Sequence, residues 1–276
     1  MAVLCARLRM PIQTIGVLVV LAALALIALD VAGVVEMGIV GAMLVVAGVV
    51  LMVASSMLSL AAPVVGGEPL ELDSPVDGPW MALNSPTTKV PSHGTHGYGQ
   101  AYAVDLVYAP EGVERPRFGE AGAAFLPPER FPAFGRPVHA PADATVVRVV
   151  DGIRDHRSRS SWLGLAWFVL ASIPRELRGV RGMLGNHVVL RLGDGSHFAI
   201  AHLRHGSVDV RVGDAVVAGA LLGECGNTGN STEPHVHCQR QDVASPARAA
   251  GLPWTIRGSG VPANEETSQL AIASSA

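Results

Sequence analysis

Two long apolar segments near the N-terminus constrain the fold of this chain more than any other feature. They extend over about residues 12–29 and 37–60, and a short connection containing Asp30 and Glu36 joins them. As a helix, each is long enough to cross a hydrocarbon layer about 30 Å thick. We therefore predict a transmembrane helical hairpin within residues 1–65. A cleaved signal peptide is the alternative, but its apolar core would be only about 7–15 residues long and no second span would follow.

The charges beside the two spans disagree about orientation. Arg7 and Arg9 precede the first span and favour a cytoplasmic N-terminus, which with two crossings returns the rest of the chain to the cytoplasm. Residues 66–88 contain four acidic residues and no Lys or Arg, which favours the opposite side. The sequence therefore leaves the side of the membrane open.

The composition agrees with a membrane-embedded part and argues against one class of partner. Only 16% of the 276 residues are charged, whereas a soluble domain carries about 25%. The net charge of −3 gives no footprint for nucleic acid, so we expect no such partner. We expect Cys5, Cys225 and Cys238 to be buried thiols, with a Cys225–Cys238 disulfide as the alternative.

The remainder of the chain predicts a mainly antiparallel β domain, either a β-sandwich or a barrel-sandwich. A linker with an entering strand over 66–90 leads into this domain, which we place at 91–254, and a mobile tail over 255–276 follows. The β-like runs bounded by turn residues are 102–107, 145–150, 187–192, 197–203, 208–212, 215–222 and 235–239.

Two insertions interrupt the β pattern. Residues 111–136 are rich in Pro and Gly and predict a loop. Residues 152–185 predict a helical segment, in which 161–181 combines an apolar patch, two tryptophans and three arginines. That composition fits a helix lying in the membrane interface, and a helix packed on the β domain is the alternative.

The candidate chemistry begins at His235 and His237, which follow a turn rich in Gly, Asn and Ser. Residues two apart on a strand point to the same face. The two imidazoles therefore suit a metal ion, or one metal ligand beside one proton-transfer group. A catalytic zinc needs three protein ligands. His237 and Asp105 are candidates for two of them, and the glycines after His96 allow this histidine to fold back towards Asp105.

Three blocks in order over about residues 90–240 resemble the lysostaphin-type zinc metallopeptidases of family M23, the LytM-like peptidoglycan endopeptidases. The blocks are His96 to Asp105 followed by Gly135–Asp143 (GRPVHAPAD), Gly185–Leu190 (GNHVVL) continuing to Ala201–Leu203 (AHL), and Val212–Asp214 (VGD) continuing to Pro234–His237 (PHVH).

The resemblance implies a zinc peptidase acting on the cross-links or stem peptides of peptidoglycan. At the matching positions, His96, Asp105 and His237 would bind Zn²⁺, and His202 and His235 would be the paired catalytic histidines. In this scheme zinc activates water, while histidine transfers protons and stabilises the oxyanion.

The first metal ligand is the main departure from the family pattern. The commoner motif places a histidine four residues before the aspartate, where this chain has Ala101. A longer spacing, with the histidine nine residues before Asp105, resembles that of membrane-linked relatives of the family, and this resemblance implies His96 as the ligand. His93 is its rival.

The resemblance also implies an integral protein of the bacterial cytoplasmic membrane, with the lipid bilayer as a partner of the hairpin and of the 161–181 segment. Peptidoglycan lies outside the cytoplasm, so the implied substrate places the domain there, against the indication from Arg7 and Arg9. Two other functions stay open: a catalytically inactive LytM-like binding or activating module, and a membrane-associated metallopeptidase acting on another peptide. The sequence identifies no activating partner.

Overall fold

Two helices form an N-terminal hairpin in the computed structural model, which describes residues 1–119 and 123–273. Helix α1 spans Ala2–Val31 and helix α2 spans Ile39–Leu60. Both helices are long and apolar enough to cross a membrane, as the two apolar segments predict. The helices approach closely at a glycine, since a Cβ atom at Gly48 would lie 2.6 Å from Val20 Cγ2 and 2.8 Å from Gly16 O.

The rest of the described chain is a mainly antiparallel β domain, which confirms the predicted fold class. In chain order its strands are β1 (Leu70–Leu72), β2 (Gly78–Leu83), β3 (Val104–Tyr108), β4 (Phe125–Leu126), β5 (Pro137–His139), β6 (Ala144–Val150), β7 (Ser158–Arg159), β8 (Asn186–Leu192), β9 (His197–Leu203), β10 (Ala215–Val216), β11 (Leu221–Glu224), β12 (Val236–Gln241), β13 (Gly251–Leu252), β14 (Trp254–Ile256) and β15 (Thr267–Leu270).

One nine-stranded sheet holds most of these strands, in the order β10-β6-β8-β9-β12-β3-β2-β15, with β13 paired to β12. The pairs β1–β14, β5–β11 and β4–β7 lie outside this sheet. The apolar core lies against one face of the sheet and includes Trp80, Leu106, Phe198 and Ile200. Because side chains alternate along a strand, this arrangement leaves the opposite face of the central strands for other residues.

The inserted helical segment is present, as predicted. Helix α3 spans Trp162–Leu177 and helix α4 spans Gly179–Leu184. Ser161 caps α3, because its hydroxyl accepts a hydrogen bond from the backbone N–H of Gly164 at 3.1 Å.

The hairpin docks on the β domain through the N-terminal turns of α1. Arg7 forms an ion pair with Asp242 at 2.6 Å. Arg9 is only 2% exposed, and its guanidinium donates to the carbonyl oxygens of His96 at 2.6 Å and Ala249 at 2.8 Å. The two arginines that bear on membrane orientation therefore also have a structural role, since they join the hairpin to the domain.

The predicted tail is the clearest departure from the sequence prediction. Residues 267–270 form strand β15, which pairs antiparallel with β2 and extends the main sheet. Leu270 is buried in the apolar core, and this burial explains why the segment is ordered. Residues 274–276 of that tail lie outside the described residues.

Two of the predicted strands also differ from the structure. Residues 208–212 are not a strand, and 215–222 divides into β10 and β11 around a turn. The predicted loop at 111–136 includes the short strand β4, which pairs with β7, while residues 120–122 lie outside the described part. The three cysteines are free, buried thiols, in agreement with the preferred interpretation.

Candidate metal centre

Two adjacent strands bring Asp105 and His237 together. In β12, Val236 and Cys238 belong to the apolar core, so His237 projects from the opposite face. His237 is in register with Asp105 of β3, and its Nδ1 lies 2.9 Å from Asp105 Oδ1. This contact follows from strand pairing and the period of two.

His93 is the third member of the cluster. Its Nε2 lies 3.1 Å from Asp105 Oδ2, and the ligand atoms of His93, Asp105 and His237 all lie within 4.8 Å of one another. The turn before β3 orients His93, because the backbone N–H of Ser92 donates to Ala101 O at 3.0 Å.

His96, the first ligand predicted from the sequence, lies outside this cluster, so the structure does not bring it to Asp105. Its backbone N–H donates to Ser59 O of α2 at 2.7 Å, and its carbonyl accepts from Arg9 of α1. Burial, together with the charge of Arg9, lowers the pKa of His96 below its ordinary value. His96 is thus part of the junction between hairpin and domain.

Hydrogen bonds determine which nitrogen of each clustered histidine carries the proton. The Ser92 hydroxyl donates to Gln100 O at 3.0 Å, so His93 Nδ1–H donates to Ser92 Oγ at 3.1 Å. His237 Nε2–H donates to Gln239 Oε1 at 2.8 Å. Both rings therefore direct their other nitrogen, His93 Nε2 and His237 Nδ1, towards Asp105.

The cluster has the donor chemistry of a metal site. Burial opposes ionisation of Asp105, but His93 and His235 hold the pKa of its carboxyl well below the usual value. Asn84 Nδ2 orients the carboxylate by donating to Oδ2 at 2.8 Å. Two histidine nitrogens thus converge on one carboxylate at 2.9 and 3.1 Å, and a metal ion bound among them would replace the protons that otherwise join these groups. Two imidazoles and one carboxylate are a ligand set that zinc accepts.

A chain of glutamines on β12 orients His237. Gln239 Nε2 donates to Tyr98 O at 2.7 Å and to Gln241 Oε1 at 2.6 Å, so Gln239 Oε1 must face His237. Gln241 Nε2 in turn donates to Val243 O at 2.7 Å. The sequence analysis missed these residues, although the alternation of β12 placed 237, 239 and 241 on one face.

His202 and His235 lie beside this cluster, with ring centroids 4.7 Å apart. His202 is the penultimate residue of β9 and has a φ of +62°, an uncommon backbone conformation for a non-glycine residue. Its Nδ1–H donates to Thr228 O at 2.8 Å. His235 Nδ1–H donates to Glu233 O at 2.8 Å, and its Nε2 lies 3.5 Å from Asp105 Oδ1. In both rings, Nε2 is the nitrogen left for chemistry.

Their surroundings drive the pKa values of these two histidines in opposite directions. Burial, assisted by His235 and His237, holds the pKa of His202 well below its usual value. Burial also opposes the charge on His235, but Asp105 and the carbonyl of Glu233 outweigh it and raise the pKa. Paired groups with diverging pKa values are a common arrangement for acid–base chemistry.

The fold and the site together describe a β-sheet domain that carries a candidate metal centre, with the cluster of His93, Asp105 and His237 beside a pair of histidines. Residues 173–248 match the model of peptidase family M23. The matched segment contains His202, His235 and His237, whereas His93 and Asp105 join them through the β3–β12 pairing.

Comparison with solved structures finds matches at low identity, two of which are structures of the peptidase lysostaphin. The catalytic domain of lysostaphin from Staphylococcus simulans is 21% identical, with 67% of this chain and 86% of that chain covered and a TM-score of 0.32. A longer structure of lysostaphin from Staphylococcus simulans is 24% identical, and the match covers 56% of this chain and 45% of that chain with a TM-score of 0.32. Csd3 from Helicobacter pylori is 16% identical, with 70% and 36% covered and a TM-score of 0.34.

The chain therefore spans less than half the length of the longer lysostaphin structure. No curated protein sequence matches the chain. The similarity to peptidase family M23 therefore rests on the matched segment 173–248, because the structural matches have TM-scores below 0.5.

Proposed function

We propose that this protein is a membrane-anchored zinc metallopeptidase that hydrolyses peptide bonds in peptidoglycan. The observation that carries the proposal is the convergence of two histidine nitrogens on one buried carboxylate, in a chain with a segment that matches a peptidase family. A binding module would not need this donor set.

His93 Nε2, Asp105 and His237 Nδ1 are the proposed zinc ligands. When bound, zinc would supply Lewis acidity that polarises a carbonyl and lowers the pKa of water. Gln239 accepts the proton of Nε2 and thereby orients Nδ1 of His237 towards the metal position beside Asp105. Asn84 holds the Asp105 carboxylate in place, as partners of metal ligands commonly do.

His202 and His235 are the proposed acid–base pair. Each has its Nδ1 proton committed to a backbone carbonyl, so each presents Nε2. His202, neutral through burial, can accept a proton from water at Nε2. His235, on the Asp105 side, can donate a hydrogen bond to the developing oxyanion or to the leaving amine.

The two apolar helices are the proposed membrane anchor. The docking of Arg7 and Arg9 on the β domain holds the catalytic domain at the end of the hairpin that contains the chain N-terminus. We place this end outside the cytoplasm, because the proposed substrate is found there. Cross-links or stem peptides are the proposed substrate class.

The test is to measure zinc content and peptidoglycan hydrolysis together on the full-length protein in a non-ionic detergent. We expect about one zinc per chain and release of soluble fragments from purified peptidoglycan. Replacement of the ligand in His237→Ala abolishes both properties. His205→Ala is the matched control, because His205 is exposed and lies outside the cluster, and it should retain both.

Other outcomes would redirect the proposal. Bound zinc with hydrolysis of peptides but not of peptidoglycan would overturn the substrate class and favour a membrane peptidase acting on another peptide. Folded, zinc-supplied protein without bound zinc would overturn the enzyme and favour a binding module.

A further inference from the structure

An open cavity of about 500 Å³ lies between α3, α4 and the loop at 153–157. Four of its eight lining residues are arginines: Arg154, Arg175, Arg178 and Arg181. No acidic residue lines it. A cavity with this lining is suited to an anion, because arginine donates paired hydrogen bonds to phosphate or carboxylate oxygens.

The positive charge of the cavity is not neutralised within the described part of the chain. Arg154, Arg178 and Arg181 form no side-chain ion pair or hydrogen bond there, and Arg175 contacts only the neutral Asn230 Oδ1, at 3.3 Å.

The carboxylates nearest in sequence are engaged elsewhere. Asp155 accepts from the backbone N–H groups of Asn227 and His205 at 2.6 and 2.9 Å, and Glu176 accepts from Tyr98 at 3.1 Å. Burial and the neighbouring Arg159 and Arg175 lower the pKa of His156 on the cavity wall to about 4, as expected in a field of uncompensated cations.

Helix α3, which leads into this cavity, carries an exposed apolar stripe. Leu163, Trp167, Leu170 and Leu177 are all more than half exposed, and their spacing places them on one face of a helix. Trp162, next to this stripe, is 77% exposed. An exposed apolar face next to a cationic end is the pattern of a helix that lies in a membrane interface.

The packing of α4 places the cavity at the membrane-proximal end of the domain. Val180 and Met183 of α4 pack with Met10 of α1 around a small apolar cluster. Met10 lies two residues before the apolar segment at 12–29, so on a spanning hairpin it lies at the level of the lipid headgroups. Arg181 and Gly182, which line the cavity, are neighbours of these packing residues in α4.

We propose that the cavity of Arg154, Arg175, Arg178 and Arg181 binds the phosphate of an anionic phospholipid headgroup, while the apolar stripe of α3 lies among the acyl chains. A lipid is favoured over a soluble anion by two observations: the cavity lies close to Met10, at the level of the headgroups, and the apolar stripe of α3 is exposed beside it. A bound headgroup would fix the orientation of the β domain on the bilayer. The cavity also lies close to the candidate site: His156 contacts the carbonyl of Gly229, which lines the cavity, and the carbonyl of the preceding residue, Thr228, accepts the hydrogen bond from His202. The inference relies on the membrane anchor proposed above but not on peptidase activity.

The first measurement is the retention of lipid on full-length protein in detergent, by native mass spectrometry with phosphatidylglycerol, phosphatidylcholine or inorganic phosphate added. We expect one retained phosphatidylglycerol per chain. The Arg178→Gln/Arg181→Gln variant should bind it about 25-fold more weakly, at about fivefold for each cation removed at a lipid surface. Arg191→Gln/Arg211→Gln removes the same charge from exposed positions elsewhere and should retain wild-type affinity.

The second measurement is tryptophan quenching by brominated phosphatidylglycerol in nanodiscs. Trp80 and Trp254 are 1% and 4% exposed in the β core, so quenching reports Trp162 and Trp167 at 77% and 56% exposure. We expect strong quenching that a Trp162→Ser/Trp167→Ser variant removes.

Several results would overturn the proposal. They are equal lipid affinity in the two arginine variants, equal binding of inorganic phosphate and lipid, or arginine-dependent binding of a soluble stem peptide without lipid binding. A chain that does not reconstitute into nanodiscs would overturn the membrane anchor itself, whereas loss of peptidoglycan hydrolysis with lipid binding intact would refute only the proposed enzyme.

Discussion

The orientation of His237 by Gln239 leads to a prediction that separates metal binding from folding. In Gln239→Met the Nε2–H of His237 loses its acceptor, and Tyr98 O and Gln241 Oε1 lose their donor. His237 is then free to change tautomer and to place its proton on Nδ1. Loss of such a partner lowers metal affinity about 10- to 100-fold, or about 1.4–2.8 kcal/mol.

The same substitution also destabilises the folded chain. Three buried hydrogen bonds are lost, each with a net value of about 1 kcal/mol, so the free energy of unfolding should fall by roughly 3 kcal/mol. Gln239→Glu resolves the two effects. Its carboxylate still accepts from His237 but cannot donate to Tyr98, so we expect near-normal zinc affinity in a less stable protein.

The assay is a zinc titration against a competing chelator on full-length protein, with unfolding followed in parallel. Gln269→Met is the matched control, since Gln269 is exposed on β15. Zinc affinity of Gln239→Met within about threefold of wild type, or equal zinc loss in Gln239→Met and Gln239→Glu, would refute the tautomer argument.

Three further predictions concern other parts of the molecule. Replacement of His202 by Ala should lower hydrolysis by about 10²- to 10⁴-fold with zinc content unchanged, and loss of zinc would show that His202 is a ligand. Burial lowers the pKa of His187 to about 4, so between pH 6.5 and pH 4 only the unfolded chain binds a proton at this residue. The free energy of unfolding should therefore fall by roughly 3 kcal/mol over this pH range. His187→Leu should abolish this loss, and an unchanged pH profile in the variant would contradict the prediction. Gly48→Leu should lower the melting temperature in detergent, because its Cβ would lie 2.6 Å from Val20 Cγ2, whereas Gly66→Leu, which has open space around it, should have little effect; equal melting temperatures would exclude close packing at Gly48.

Features that depend on local periodicity could be predicted from the sequence. The apolar lengths indicated the hairpin, and alternation along β12 placed His237 away from the core. The structure brings Asp105, His202, His235 and His237 together, as the sequence analysis expected, while their roles stay a prediction. Strand pairing requires only register and a period of two, and both can be read from short segments.

Features that depend on tertiary contacts could not be predicted in this way. His93 and His96 flank the same turn, and contacts of Ser92 with Ala101 and of His96 with the hairpin decide which one faces Asp105. The Ser, Ala and Glu content of residues 255–276 predicts a mobile tail where the structure has strand β15. Its order derives from pairing with β2 and the burial of Leu270, neither of which composition reveals.

The zinc content of full-length His93→Ala beside that of His96→Ala tests the central claim most directly. Both variants remove one histidine from the same turn, but only His93 presents its ring nitrogen to Asp105. We predict about one zinc per chain in the wild type and in His96→Ala, and almost none in folded His93→Ala. Retention of zinc by His93→Ala with loss in His96→Ala would contradict the proposed metal centre.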